Sequence, residues 1–142
     1  MTIKKALKLK VKLVADANLA FTRMTAYNSV EEGSERVYDP KVMYNEWVFK
    51  TTQLVELKTK IHKANLKVYD KIFALSELKS QVQKLKVLDC TSGKVNDRYG
   101  GTSKIKTTVI TILERDEIVK ELEEKIEQIQ EQLDIHNLKT KI

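Results

Sequence analysis

The sequence predicts a mainly α-helical fold: an antiparallel bundle of about four long helices with coiled-coil-like seams and a small β element around residues 104–112. Three observations support this fold class. Only four Gly and one Pro occur among 142 residues, so helices can run long without interruption. Apolar residues recur at spacings of three and four over long stretches. Charged residues make up 32% of the chain, which suits slender helices with much exposed surface.

The first helix is predicted from about Thr2, a residue type favoured at the N-cap, to about Tyr27. Alternation of apolar and polar residues from Leu7 to Leu13 also fits a strand, but the helical period continues through Met24 and favours the helix. A polar loop at about 28–38, expected to be flexible, follows. One face of this helix is apolar and consists of Leu7, Val11, Val14, Asn18 and Phe21, widened by Leu9, Leu13, Ala17, Ala20 and Met24.

The second helix has the clearest start, because Asp39 is suited to the N-cap and Pro40 to the first helical position. It is predicted to run to about Asn65, followed by a short extended link over residues 66–69. Lys50 is the one break in its heptad seam, which consists of Met43, Trp47, Leu54, Leu57, Ile61 and Ala64.

Two further helices and one strand are predicted in the second half. The third helix covers about 70–88, and a loop over 91–103 is expected to be flexible. Residues 104–112 are rich in β-branched side chains, which favours a strand. The fourth helix covers about 113–136. The residues of the third helix expected to face the core are Ile72, Leu75, Leu78, Val82 and Leu85. The fourth helix has a coiled-coil-like seam of Ile118, Leu122, Ile126, Ile129 and Leu133.

The second and fourth helices end in the same three residues, Asn-Leu-Lys, at 65–67 and 137–139. Asn tolerates the left-handed conformation that ends many helices, so both are predicted to stop there and release a short extended segment. An unpaired strand at 104–112 needs a partner. We expect either extended segment, or a copy in another subunit, to provide it. The candidates for strand pairing and oligomer contact are Asn65, Leu66, Ile105, Val109, Asn137 and Leu138.

Charge is unevenly distributed along a chain whose net charge is +6. Five lysines lie within residues 4–12, whereas residues 114–134 hold nine acidic residues against three basic ones. We expect the acidic fourth helix to pack beside the basic first or third helix, within one helical domain spanning 1–142. Such exposed ion pairs select partners more than they stabilise the fold.

Few residues suggest chemistry. His62 and His136 could form a metal or acid–base site if the two helix ends meet, but a histidine near a helix C-terminus is also favoured by the helix dipole. Cys90 has no base near it in sequence and is predicted to be a buried structural thiol. Residues 96–104 contain Gly, hydroxyl and basic residues without the spacing of a phosphate-binding P-loop. We therefore predict no catalytic residue, metal or cofactor.

The location predicted from composition is cytoplasmic. A single cysteine excludes an intramolecular disulfide and a cysteine-based zinc site, which suits a reducing compartment. No apolar run of about 18 residues predicts a transmembrane helix, and the basic N-terminus lacks the apolar region of a secretory signal. We expect no membrane partner.

The order of these elements resembles a family of small, mostly uncharacterised bacterial and phage-encoded helical proteins, some of which are labelled septicolysin. The resemblance rests on Asn65, on the strand entry at 103–106 and on Asn137-Leu138 followed by Thr140. It implies long antiparallel helices and no catalytic residues. The label implies a pore-forming protein, but the sequence has no alternating hairpin long enough to span a bilayer.

The leading functional hypothesis is a non-enzymatic helical protein that self-associates through its seams as a homo-oligomer. One alternative is a structural component of a phage virion, such as a head, neck or tail accessory protein that contacts other virion proteins. Another is a basic nucleic-acid-binding module, suggested by a pI of about 9.3. The four arginines of the chain are scattered along the sequence, which is atypical of an element that reads a nucleic-acid groove. An enzyme that uses His62 and His136 is a further alternative.

Overall fold

The computed structural model describes residues 1–96 and 99–142. As the sequence predicts, the fold is mainly helical, with long helices packed antiparallel and one small two-stranded antiparallel hairpin. In chain order the elements are α1 (Ile3–Asn28), α2 (Pro40–Asn65), a 3₁₀ turn (Leu66–Val68), α3 (Tyr69–Lys86), β1 (Gly93–Val95), β2 (Lys104–Lys106) and α4 (Ile112–Lys139).

Side chains from outside the helix close both ends of α1. Thr2 is the N-cap, and its hydroxyl accepts a hydrogen bond from the backbone N–H of Lys5 at 3.4 Å. At the other end the carbonyl groups of Tyr27 and Asn28 lack helical partners. The guanidinium of Arg36 donates to both, at 2.8 and 3.4 Å. The loop between α1 and α2 is therefore tied to the end of α1.

Only part of the predicted apolar face of α1 is buried. The covered row is the one the sequence analysis treated as a widening, and Val11, Val14 and Phe21 are exposed at 66%, 38% and 44%. Periodicity counts apolar residues but does not say which row a single partner helix covers. Small alanines allow that partner to approach closely, which favours the covered row of Ile3, Ala6, Leu13, Ala17 and Ala20.

The predicted seam of α2 is directed onto α1. Asp39 caps α2 through the N–H of Lys41 at 2.9 Å, with Pro40 as the first helical residue, as predicted. One hydrophobic cluster combines Ala6 and Leu13 of α1 with Leu57 and Ile61 of α2. Near the other end of the pair, the rings of Phe21 and Trp47 lie 5.1 Å apart. An early part of α1 thus meets a late part of α2, and the two helices form an antiparallel hairpin.

The prediction of two left-handed asparagine stops is wrong. Within residues 1–96 and 99–142, no residue other than glycine has a positive φ. Asn65 is the last residue of α2, and the N–H of Leu66 bonds to the carbonyl of Lys63, so the chain continues as a right-handed 3₁₀ turn and not as an extended link. Asn137 lies inside α4, which continues to Lys139.

The segment after α4 pairs with the segment before α1. The N–H of Ile3 donates to the carbonyl of Thr140 at 3.0 Å, and the N–H of Ile142 donates to the carbonyl of Met1 at 2.9 Å. Thr2 and Lys141 form an isolated antiparallel bridge. This segment does not pair with residues 104–112, contrary to one of the partners we predicted.

The predicted strand at 104–112 is shorter than expected and has a different partner. Only Lys104–Lys106 is a strand, and it pairs with Gly93–Val95, inside the segment expected to be a flexible loop. Ile105 lies opposite Lys94, while Val109 is 95% exposed and outside any strand. The hydroxyl of Thr111 accepts from the N–H of Glu114 at 3.2 Å. This N-cap starts α4 at Ile112, within one residue of the predicted start.

Helices α3 and α4 pack antiparallel, and the ammonium of Lys86 lies 3.2 Å from a carboxylate oxygen of Glu123. This ion pair is an example of the acidic-to-basic helix packing expected from sequence, and both side chains are more than half exposed. The seam of α4 shifts at its start, where Val119 is buried and Ile118 is 38% exposed.

Two compact units are present: Met1–Val68 with Asp134–Ile142, and Tyr69–Leu133. A division into compact units does not test whether the chain folds as one domain, so the single domain over 1–142 stays a prediction. Across the described ranges, none of the helices is both long enough and apolar enough to cross a membrane.

Candidate interaction faces

One uncovered surface is an apolar face on the α1–α2 hairpin. On α1, residues at 3–4 spacing expose Val11, Val14 and Phe21. The matching row on α2 was not predicted from the sequence. This row is separate from the heptad seam, has spacings of four, three and four, and consists of Tyr44, Val48, Thr51 and Val55. Its three large apolar side chains, Tyr44, Val48 and Val55, are 51%, 43% and 59% exposed.

Aromatic contacts join the two rows along one side of the hairpin. The Trp47 ring lies 5.1 Å from the Phe21 ring of α1 and 6.1 Å from the Tyr44 ring of α2. Trp47 is half-buried and so lies between the covered seam of α2 and its exposed row. The rows therefore form one continuous surface, which we call the apolar face: residues Val11, Val14, Asn18, Phe21, Thr25, Tyr44, Val48, Thr51 and Val55.

The apolar face carries no charged residue, and its threonine hydroxyls are already engaged. The hydroxyl of Thr51 donates to the carbonyl of Trp47 at 2.8 Å, and that of Thr25 donates to the carbonyl of Thr22 at 2.9 Å. Their methyl groups complete the apolar surface. Asn18 then contributes the one side-chain amide on the face.

The opposite side of the hairpin differs in character. A shallow groove of about 370 Å³ runs between α1 and α2 there, and charged side chains line much of it. Its lining includes Lys12, Asp16, Lys50, Glu56 and Lys60. A solvated groove of mixed charge needs no partner, so the apolar face is the stronger candidate for a macromolecular contact.

One end of the hairpin is strongly basic. Backbone hydrogen bonds join residues 1–3 to 140–142, and the cluster of Ala6, Leu57 and Ile61 joins α1 to α2. Residues 1–12, 57–68 and 135–142 therefore meet at one place, which we call the basic end. These segments contain no Asp or Glu and hold eleven lysines, namely Lys4, Lys5, Lys8, Lys10, Lys12, Lys58, Lys60, Lys63, Lys67, Lys139 and Lys141.

The other end of the hairpin is acidic. The loop between α1 and α2 and the start of α2 carry Glu31, Glu32, Glu35 and Asp39, all exposed. Two basic residues lie among these carboxylates: Arg36, whose guanidinium donates to the carbonyls at the end of α1, and the exposed Lys41. The hairpin thus has opposite charges at its two ends, with the apolar face between them.

His136 takes part in a hydrogen-bond chain between two helix ends. Its Nε2 lies 3.2 Å from Oδ1 of Asn65, and its Nδ1 lies 3.1 Å from the hydroxyl of Thr140. Because the amide oxygen accepts, Nε2 donates to it, and the Thr140 hydroxyl can pair with Nδ1 as either donor or acceptor. Both ring nitrogens are engaged in holding α4 to α2. His62 is exposed and lies elsewhere on α2.

The remaining chemical candidates do not assemble into a site. Cys90 is a free, buried thiol, as predicted. The loop at 96–104 was weighed for phosphate binding, and its Asp97 and Arg98 lie outside the described residues. In the part of the chain that the structure describes, no three His, Cys, Asp or Glu side chains are grouped so that they could hold a metal ion.

One carboxyl group in the second unit is perturbed. Asp89 accepts hydrogen bonds from the side chain and the backbone N–H of Thr91, the latter at 2.9 Å, and Lys106 lies 3.7 Å away. These contacts favour the ionised form and lower the pKa of Asp89 below its ordinary value. The group fixes the turn before β1 and points to no ligand.

Most residues predicted for seam contacts between subunits are covered within the chain. Leu57, Ile61 and Leu133 are buried, and half-buried positions are Trp47, Leu54, Leu122, Ile126 and Ile129. Of the strand-pairing candidates, Ile105 is paired within its own hairpin, Leu66 and Leu138 are 62% and 52% exposed, and Asn65 contacts His136. Their contribution to oligomer contacts stays a prediction.

Comparisons with models of known protein families, with curated proteins and with solved structures each give no match. The resemblance to the septicolysin-labelled family therefore stays an expectation from sequence.

Proposed function

We propose that this chain is a non-enzymatic assembly protein that self-associates through the apolar face of its α1–α2 hairpin. The observation that supports this most is that face itself: six large apolar side chains, Val11, Val14, Phe21, Tyr44, Val48 and Val55, stay exposed in one uncharged surface. The largest apolar patch of a protein, at several hundred Å², is often a site of interaction even on a monomer.

The charges at the two ends of the hairpin favour a second copy as the partner. Two hairpins that meet face to face in opposite directions place the basic end of each beside the acidic end of the other. The same surface then serves both copies, as in the two-fold contacts common among homo-oligomers. Asn18 in the middle of the face can pair with its equivalent and set the register, as a single buried Asn does in coiled coils.

The size of the face sets the strength we expect. From Val11 to Thr25 it extends about 21 Å along α1, and two adjacent helices are about 20 Å across, which gives about 400 Å² in projection. Standard stable interfaces bury roughly 800 Å² of accessible surface per partner. We therefore expect a weak dimer whose population depends on protein concentration.

Replacing Val48 with Glu tests the proposal, because it puts a charge at the centre of the face. Val42→Glu is the matched control: it is an exposed valine on the same helix, six residues earlier and about 120° around the axis. Sedimentation or multi-angle light scattering over a concentration series should show mass rising for the wild type and for Val42→Glu, and a monomer throughout for Val48→Glu.

Far-UV circular dichroism checks that both variants keep the helical fold. A wild type that stays monomeric at every concentration contradicts the proposal. Equal association of the two Glu variants contradicts it as well, because the face would then play no part.

A further inference from the structure

The basic end carries a large excess of positive charge, and the acidic residues that border it are Asp16 and Glu56, in the groove shared with Lys12 and Lys60. Three segments separated in sequence bring eleven lysines together without an acidic residue among them. Ten of these lysines are exposed and Lys10 is half-buried. The ion pairs formed by Lys86, Lys106 and Arg115 lie outside the basic end.

The arrangement is costly in the absence of an anion. Lys4, Lys8 and Lys12 lie four residues apart on α1, so their side chains emerge in one row about 6 Å apart. Like charges at this spacing destabilise a helix. Lysines from the end of α2 and from the end of α4 add to the same potential. A polyanion would relieve this repulsion and release its own counterions on binding.

The residue types at the basic end indicate which kind of polyanion would bind there. None of the three segments contains Arg, Phe, Tyr or Trp. Bidentate contacts to guanine edges use Arg or Lys positioned by a groove-fitting element, and binding of single strands uses aromatic stacking. Flexible lysines without aromatic neighbours suit contacts to the phosphates of a duplex, whose charge density is high whatever its sequence.

We infer that the basic end binds the phosphate backbone of double-stranded DNA without regard to base sequence. This inference uses a different surface from the proposed self-association and does not rest on it. In an antiparallel dimer the acidic end of a partner supplies four carboxylates against eleven lysines, so lysines remain available in either oligomeric state.

The test is fluorescence anisotropy of a short labelled DNA duplex of random sequence, titrated with the full chain over a series of salt concentrations. If five lysines contact phosphates, the logarithm of the association constant falls against the logarithm of salt concentration with a slope of about −4.5. The triple variant Lys4→Gln, Lys8→Gln and Lys12→Gln should make that slope shallower by about 3.

The matched control removes the same charge elsewhere. Lys71, Lys79 and Lys84 all lie on α3, and their replacement by Gln lowers the net charge by the same three units. Gln and Lys have similar helix propensities, so both triple variants should keep the fold. The control should leave the slope of the salt dependence unchanged.

Several outcomes would overturn the inference. They are absence of binding at low salt, equal weakening by the two triple variants, and tighter binding of a single strand than of the duplex. Equally strong binding of vesicles that contain anionic lipid would also overturn it, because the surface would then recognise a membrane. Loss of self-association in Val48→Glu with DNA binding retained would separate this inference from the proposed function.

Discussion

Replacing Ile61 with Ala tests whether the seam of α2 is directed onto α1. Ile61 is 8% exposed and belongs to the cluster formed with Ala6, Leu13 and Leu57. The change removes three carbon atoms worth about 0.8 kcal/mol each when buried, or about 2.2 kcal/mol after scaling by the buried fraction. The cavity left behind raises the expected loss of unfolding free energy to about 3 kcal/mol.

Val55→Ala is the matched control on the same helix. Val55 is 59% exposed, so two lost carbon atoms cost little, and the higher helix propensity of Ala offsets part of that cost. We expect a change within about 0.5 kcal/mol. Urea unfolding, followed by circular dichroism at a concentration where light scattering gives a monomer, measures both variants without a contribution from association.

Two results would contradict the assignment of buried and exposed rows on α2. A loss below about 1 kcal/mol for Ile61→Ala means that the cluster is not the core of the hairpin. If Val55→Ala costs as much as Ile61→Ala in the monomer, α2 is turned the other way and the apolar face is not exposed. Either result refutes the assignment of inner and outer rows on which the proposed function depends.

Three further predictions concern polar contacts. Arg36→Ala should lower the unfolding free energy by about 1 kcal/mol, because two carbonyls at the end of α1 lose their donor; an unchanged urea midpoint would argue against this cap. In an NMR titration Asp89 should ionise below the ordinary aspartate pKa, and Thr91→Ala should raise that pKa. Since the folded pKa is lowered, the stabilisation by Asp89 is present above the ordinary pKa and is lost as pH falls through the lowered value; a normal pKa would exclude it. Asn65→Ala removes the acceptor of His136 Nε2 and should cost about 1–2 kcal/mol, whereas Asn45→Ala, at an exposed position of the same helix, should cost less; equal melting temperatures for Asn65→Ala and the wild type would contradict the role of the pair.

Boundaries set by local chemistry were predictable from the sequence. Thr2 and Asp39 satisfy orphan N–H groups within three residues of themselves, and Pro40 fits only the first turn, so α1 and α2 start where predicted. The heptad seam of α2 was also predictable, because its apolar residues recur at helical spacing, as Leu57 and Ile61 do four residues apart.

Features that depend on a distant partner could not be predicted. The strand at 104–106 pairs with residues 93–95, and no property of Ile105 or Val109 distinguishes that partner from the three we considered. The β-branched run at 107–111 predicted a longer strand, but the strand ends at Lys106 where its pairing with residues 93–95 ends. The end of α1 is capped by Arg36, nine residues away from Tyr27.

The candidate site was half predictable. The row of Val11, Val14 and Phe21 was identified as apolar, but a sequence does not say whether a neighbour covers a row, and here the small side chains of Ala17 and Ala20 draw α2 to the adjacent one. The row from Tyr44 to Val55 has its own helical spacing, which the stronger heptad signal obscured. The basic end needed the fold, because it combines three distant segments.

The pairing of residues 1–3 with 140–142 bears on how the chain acquires its structure during synthesis. One compact unit is assembled from Met1–Val68 and Asp134–Ile142, with sixty-five residues translated between its two parts. The α1–α2 hairpin can form as soon as it leaves the ribosome. Its contacts with Ile142 and His136 must wait for those later residues. Until then the start of α1 and the end of α2 stay exposed. Completion of this unit is a late folding step, because it depends on contacts between residues far apart in sequence.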